Sequence, residues 1–510
     1  MSKTIVLWEF AKKQNYIFKS NKLIENIGAS LIIKDVSEID KKYNLIDDNF
    51  ITRGGGKSIY IFNNLESATT FIKKYSKDIL TNYPGVEMVF VKTSFDEEKD
   101  DFQETIEQLY QKLELKKNKK EFGGALAGFG IEKKCQSTSL AASYYDNDEC
   151  ISSEIKIKRE YSQKQNKDFN DLIPEGYSLE KEIGKLINKE TKNYIAIVHI
   201  DGNSMGKKLK NILNSIKKEK YSSMKEYNAK CILKMKLISE KINEVYTNAF
   251  KYMLQIVAKN KDNIKDYCNI EKKLLPVRPL ILAGDDVTFI APGVMGLECA
   301  RIMIKKISDT EIIIDGEKLD KLTACAGISI IKSGYPFIRA YNMAEDLCQN
   351  AKRLVLDSGI NANALDYHIA LGDINGSIKE IREKYYTSED SNNPGNLSIK
   401  PLFLDNVSNI QDNIKWHTYD NLCSAIDNVN NAINDEKIAR GKIKQLRSVL
   451  KEGEAATERY FKFYNLGAGN YLKPLDGTFG DYCFNTKDNK KECMYLDAIE
   501  TYEYFIKLDE

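Results

Sequence analysis

Two stretches of this chain, one opening near residue 4 and the other near residue 190, run through one succession of patterns: apolar strand, helix, hairpin, helix, strand. That succession is the grammar of a ferredoxin-like α/β sandwich. The first stretch reads as strand Thr4–Trp8, a helix-like Leu23–Ile27, strand Ser30–Ile33, a hairpin over 51–62, a helix near Ser67–Tyr75 and strand Val86–Val91, followed by a charged helix and linker over about 95–120. The second reads as strand 194–200, helix Lys207–Ile216 and a long helical insertion over about 222–260 with periodic Ile232, Met235, Ile238, Ile242 and Val245. A hairpin around 280–290, helix Gly296–Ile307, strand Leu322–Ile331 and helix Phe337–Arg353 complete it. The chain is therefore expected to be a diverged internal duplication of α/β (α+β) class. Past about 373 the pattern turns mostly helical, with a long polar helix near 419–452 and an Asn/Asp/Ser-rich loop at 388–397 that reads as exposed.

The two hairpins differ in chemistry. The first carries Gly54-Gly55-Gly56-Lys57, the second Ala283-Gly284-Asp285-Asp286 between apolar strands. Neighbouring carboxylates about 4 Å apart repel by about 4 kcal/mol at an effective dielectric of about 20. Such a pair is either a solvated Gly-Asp turn or one side of a cation site completed by a third acid. Asp201 supplies that acid: it ends the strand 194–200 and Gly202 follows it. Asp201, Asp285 and Asp286 are therefore the candidate catalytic and metal-holding residues. The Gly202 carbonyl is a further oxygen ligand of the kind hard divalent ions prefer, and two ions, Mg2+ or Mn2+, are expected. The first hairpin lacks carboxylates and is expected to be catalytically dead.

Asp201 also opens a strand-to-helix loop. Through Gly202, Asn203, Ser204, Met205, Gly206 and Lys207, backbone N–H groups and a helix N-terminus can cradle the β- and γ-phosphates of a nucleotide, although an ordinary glycine-bearing turn has the same look. Gly284 lies at the acidic turn. Lys352 and Arg353 end a helix that this topology places near that turn, where either can reach a triphosphate or remain a surface cation. The Gly54, Gly55, Gly56 and Lys57 hairpin is read as holding an acceptor nucleotide across the interface. Gly56-Lys57-Ser58 is no Walker A motif, since position 51 is Ile where glycine is needed. Gly124 to Gly130 has the wrong spacing for a dinucleotide fingerprint. The histidines at 199, 368 and 417 include no His-Asp dipeptide, which excludes a His-Asp phosphohydrolase, and His199 reads as structural.

A net charge of +2 gives no global sign of nucleic-acid binding, and basic runs such as Lys116 to Lys120 and Lys217 to Lys220 read as solvated faces. Ten cysteines without a Cys-x-x-Cys pair suit reduced thiols in the cytoplasm better than disulfides or zinc. No signal peptide and no apolar run approaching 18 residues is present, so no membrane contact is expected.

Four separated stretches together resemble the large polymerase subunit of type III CRISPR effector complexes, the CRISPR polymerase family. They are Gln14 to Ser30 (QNYIFKSNKLIENIGAS), the glycine hairpin 54–56, the pair Asp201–Gly206 and Ala283–Asp286, and Ala364 to Ile369 with Ile381-Arg382 after it. The resemblance implies two palm domains packed together, the first degenerate over 1–120 and the second catalytic over 181–372. A linker region at 121–180 stands in place of a zinc ribbon, since Cys135 and Cys150 alone cannot form one, and a helical C-terminal domain spans 373–510. It implies ATP as the substrate, polymerised and cyclised into oligoadenylate second messengers of antiviral defence, with Asp201, Asp285 and Asp286 on magnesium. Ala283 replaces the first glycine of the family's Gly-Gly-Asp-Asp, and the N-terminal nuclease domain of many members is not expected here. Expected partners are guide or target RNA and other effector subunits, or a second copy if the chain acts alone. Two other readings stay open: a catalytically silent RNA-binding scaffold, and a GTP-using diguanylate-cyclase-like enzyme.

Overall fold

The computed structural model describes residues 2–510 except 38–42, 44, 46–48, 55, 120–129, 164–168, 181–186, 188–192, 268–272, 373–375, 390–394, 406–413, 415, 436–437, 465–471, 473–482 and 488–489. Strand β1 (Lys3–Phe10) buries Ile5 and Leu7 in one cluster and Val6 and Trp8 in another. A strand apolar on both faces belongs inside a layered structure. It pairs antiparallel with β3 (Lys57–Phe62) and β4 (Met88–Phe95), and β2 (Phe50–Gly54) flanks β3, giving the order β2-β3-β1-β4. Helices α1 (Lys13–Phe18), α2 (Leu23–Ser37) and α3 (Leu65–Asn82) pack on the Val6–Trp8 side, while α4 (Phe102–Asn118) buries Phe102, Ile106 and Leu109 against Ile5 and Leu7.

The strand expected at Ser30–Ile33 does not form, because α2 runs unbroken through it. Gly28, inside that helix, is a packing residue. A Cβ there would lie 1.7 Å from the carbonyl oxygen of Lys158 in α5 (Ser153–Gln163), which crosses α2 at that point. Gly28→Ala is therefore expected to destabilise the protein by about 1–3 kcal/mol in denaturant titration, despite the roughly 1 kcal/mol that alanine gains in a helix interior. An unchanged or raised midpoint would contradict this. The short hairpin β5 (Tyr144–Asp146) and β6 (Glu149–Ile151) precedes α5, and Arg159 ties the two to α2 by pairing with Asp146, Glu149 and Glu25. Part of the region read as a linker is thus packed structure.

The second sheet runs β8 (Arg278–Ala283), β9 (Asp286–Pro292), β7 (Tyr194–Gly202), β10 (Ala324–Lys332), β11 (Ala364–Ile369) and β12 (Leu402–Phe403), antiparallel throughout except for β10 with β11. Its first four strands follow the same order as the first sheet. Helices α6 (Met205–Asn214), α7 (Met224–Lys259), α8 (Gly296–Asp309) and α9 (Phe337–Ser358) accompany it. The 36-residue α7 joins the units: Tyr227, Cys231 and Met235 pack with α4, while Val245, Phe250 and Met253 pack with Val198, Ile200 and Phe289. On the other face Ile197 and Ile290 share a cluster with Ile27 and Leu31 of α2, and Phe18 of α1 stacks on Tyr341 of α9 at 4.3 Å.

Beyond α10 (Ile378–Tyr385), the expected helix over 419–452 is two, α11 (Tyr419–Asn434) and α12 (Arg440–Lys451). The C-terminal part also holds α13 (Glu454–Phe463), a hairpin of β13 (Phe484–Lys487) and β14 (Lys490–Cys493), and α14 (Tyr495–Thr501). Residues 124–129 of the Gly124–Gly130 run and 390–394 of the 388–397 loop lie outside the described residues; in the rest of that loop, expected to be exposed, Ser388, Gly395 and Leu397 are buried, and the Ser388 N–H donates to the Gly395 carbonyl. Among the described residues no helix is long and apolar enough to cross a membrane.

Candidate active site

Ile200 and Val287 are the last residues paired between β7 and β9. Asp201 and Asp286 stand one residue beyond, at the same end of adjacent strands. Ala283 pairs with Asp286, so Gly284-Asp285 is a two-residue hairpin turn, and Gly284 at φ +67° supplies its left-handed corner. Gly202 lets the strand ends approach: a Cβ there would lie 2.9 Å from the Tyr246 hydroxyl and 3.0 Å from Cβ of Asp285. The three acids, distant in sequence, are therefore neighbours.

Each acid has its own electrostatic setting. Burial, then the Asp201 charge, pushes the Asp285 carboxyl up to about 6. At Asp286 burial favours the neutral acid, but Lys13 and then His199 outweigh it and hold the pKa low. Lys13 Nζ donates to Asp286 Oδ2 at 2.5 Å, and Oδ1 of the same carboxylate is buried without a hydrogen-bond partner. His199 Nδ1 lies 3.1 Å from Thr288 Oγ1 and 3.8 Å from Asp286, a structural placement inside the sheet. Lys352 Nζ donates to Asp201 Oδ2 at 2.6 Å and to the Gly202 carbonyl at 3.2 Å. Among the described residues no three His, Cys, Asp or Glu side chains form a group able to hold a metal ion.

Asp285 opens onto a cavity of about 500 Å³ between the two α/β units. Gly284, Met205, Gly206 and Leu209 line one side, and Arg53, Lys57 and Tyr110 of the first unit line the other. Lys57 Nζ sits 5.3 Å from the Tyr110 ring centroid.

The other residues singled out from the sequence fall in different places. Gly206 is exposed with open space before it, Lys207 is exposed, and Ser204 takes a left-handed φ of +53° just ahead of α6. The Asn203 side-chain amide points into the fold, donating to Thr323 Oγ1 at 3.2 Å and to the Ala362 carbonyl at 3.0 Å, and its backbone N–H donates to the Thr323 carbonyl at 2.8 Å, so neither is available to a phosphate. Arg353 is exposed and, among the described residues, donates to Asn350 on its own helix, unlike Lys352. Gly54 pairs with Lys57, Gly56 packs on Phe10 and Lys13, and Gly55 lies outside the described residues.

Sequence reasoning missed Lys13, Tyr246 and Glu345. Tyr246 reads as one more apolar position of α7, yet its hydroxyl is buried without a partner beside Gly202. Glu345 of α9 is a further carboxylate near the site, raised by burial and by the Asp286 and Asp201 charges while His199 lowers it.

The sheet, acidic turn and cavity define a palm-type α/β protein. Residues 194–358, which hold all three acids, match the sequence profile described as Cas10/Cmr2, second palm domain, so this part of the chain is a palm domain of that kind. Among solved structures it is similar to a Csm1-Csm4 cassette in complex with pppApApA, with TM-score 0.51 and 10% identity over 98% of this chain and 69% of that one. It is also similar to a Csm1-Csm4 cassette in complex with cA4, with TM-score 0.41 and 12% identity over 71% of this chain and 54% of that one. Csm1 from T. onnurineus gives TM-score 0.39 and 14% identity over 71% and 52%. The chain thus spans about half the length of the Csm1 chains in the last two. No curated protein sequence matches it.

Proposed function

We propose that this chain is a nucleotidyltransferase that joins ATP into oligoadenylates and cyclises them, with the first sheet as a degenerate palm and the second as the catalytic one. The observation that carries this is the convergence of Asp201, Asp285 and Asp286 on one end of β7 and β9, at the mouth of a cavity between the units. Asp201 and Asp285 repel each other, and Asp286 keeps one carboxylate oxygen without a partner, a donor set that suits hard cations. Asp201, Asp285, Asp286 and the Gly202 carbonyl would hold Mg2+ or Mn2+, which supplies charge neutralisation at the α-phosphate and pyrophosphate and acidifies the attacking ribose hydroxyl.

The chain's own groups do the rest. Lys352 is well placed to pass from Asp201 to the triphosphate. The N-terminal turn of α6, open at Gly206, presents backbone N–H groups to the same phosphates. Lys57 and Tyr110 on the far wall offer a charge and an aromatic face to the acceptor nucleotide. By its palm-domain match the protein would work beside effector subunits and RNA, as part of an antiviral signalling system.

Incubation of the full chain with ATP and Mg2+, with and without RNA, should yield oligoadenylates resolved by chromatography and mass spectrometry. Equimolar GTP should not displace ATP. Absence of any adenylate product under all these conditions would overturn the proposal, and preferential use of GTP would replace it with a guanylate cyclase.

A further inference from the structure

Asp286 is neutralised from the other α/β unit. Lys13, at the start of α1, lies 273 positions away in sequence and places Nζ 2.5 Å from Asp286 Oδ2. Its side chain is 7% exposed, against 24% for Lys352 on Asp201. The glycine hairpin closes over it: a Cβ on Gly56 would come within 3.0 Å of Lys13 Cδ and 3.2 Å of a Phe10 ring carbon. Lys352 is therefore an exchangeable counter-ion, whereas Lys13 is walled in by its own unit.

We propose that Lys13 is a built-in cation of the site, so that Asp286 Oδ2 is permanently taken, only its Oδ1 is left to a metal, and the chain binds one divalent ion, shared by Asp201, Asp285 and that remaining oxygen, in place of two. This rests on the nucleotidyltransferase reading. A second divalent ion on Asp286 would have to stand beside a fixed ammonium, in surroundings too buried for water to screen the repulsion. The first unit, which carries no acids at its hairpin, thus supplies a charge to the catalytic end of the second. Lys13 is a positioning residue: it touches Asp286, fixing that carboxylate and the local charge beneath the phosphates.

The test is to count Mn2+ per chain by equilibrium dialysis with a saturating non-hydrolysable ATP analogue, on wild type, Lys13→Arg and Lys13→Met. One ion is expected for wild type and Lys13→Arg, and two for Lys13→Met, where Asp286 is released. Oligoadenylate synthesis should fall about 100-fold in Lys13→Met and be largely rescued in Lys13→Arg. Two ions in wild type, or one in Lys13→Met, would overturn the inference. The wild-type count decides the matter even if Lys13→Met fails to fold. Two ions together with normal synthesis would remove this inference alone. The expected counts without any ATP product would sustain the cation assignment and remove the polymerase reading. No bound Mn2+ and no product would remove both.

Discussion

Replacing Asp285 and Asp286 together with alanine should lower ATP conversion by at least about 10³-fold, more than the 10²–10³ that loss of a single stabilising group costs. The informative part is stability, because the two acids should act with opposite signs. Asp285 is pushed up to about 6 by burial and by Asp201. Its folded pKa lies above the unfolded value, so ionising it costs the folded state. That cost is absent below about pH 4 and grows as pH rises through 6, reaching about 2–3 kcal/mol at neutral pH without metal. Asp285→Asn should therefore raise the metal-free melting temperature at pH 7 and leave it unchanged near pH 4. Asp286→Asn should lower it, since removing the partner of Lys13 leaves a buried ammonium. If both single variants shift stability in the same direction, the charge arrangement described for the site is wrong.

What the sequence made legible follows from what periodicity encodes. The apolar runs at 4–8 and 194–200 marked central strands because strands buried on both faces must be continuously apolar. The acids at 201, 285 and 286 stood out because carboxylates at strand ends conflict with the apolar pattern around them. Period says nothing about which distant residue answers a given one. Lys13 is one lysine among many until α1 is seen to deliver it to Asp286. The same limit produced the misplaced strand at Ser30–Ile33: glycine followed by apolar residues reads as a break and a strand, and only the crossing of α5 explains the gap that Gly28 leaves. Asn203 shows the converse. It sits in a loop whose glycines suggest a phosphate cradle, yet its amide holds the loop to Thr323 and Ala362, two segments the sequence gives no reason to place there.

The largest expected loss of stability lies where the C-terminal segment meets the second sheet. Asp497 of α14 is fully buried and accepts from Lys400 Nζ at 2.8 Å, from the Ile399 backbone N–H at 2.7 Å and from Ser398 Oγ at 3.0 Å. Lys400 is itself 1% exposed and lies 4.6 Å from the ring centroids of both Tyr367 in β11 and Tyr386. Nearby, Arg382 of α10 pairs with Asp366 of β11, and Glu500 of α14 accepts from the Tyr386 hydroxyl at 2.5 Å and pairs with Arg447 at 2.6 Å. Asp497→Ala removes the carboxylate and leaves Lys400 charged in a cage of aromatic and apolar groups. The expected cost is about 3–5 kcal/mol, the usual penalty for orphaning a buried ion. Pairing the change with Lys400→Met should recover part of it, because the orphaned charge is gone while the Ile399 N–H and Ser398 hydroxyl still lack their acceptor. Denaturant melts of the two single variants and the double variant test this as a thermodynamic cycle. An additive double variant would mean that Lys400 and Asp497 are held by their other contacts and not by each other. Since these contacts join α14 to the 398–400 segment, to Arg447 of α12 and to Tyr386 just past α10, Asp497→Ala should also make the C-terminal helices more sensitive to limited proteolysis while leaving Asp201, Asp285 and Asp286, at the β7–β9 strand ends, in place.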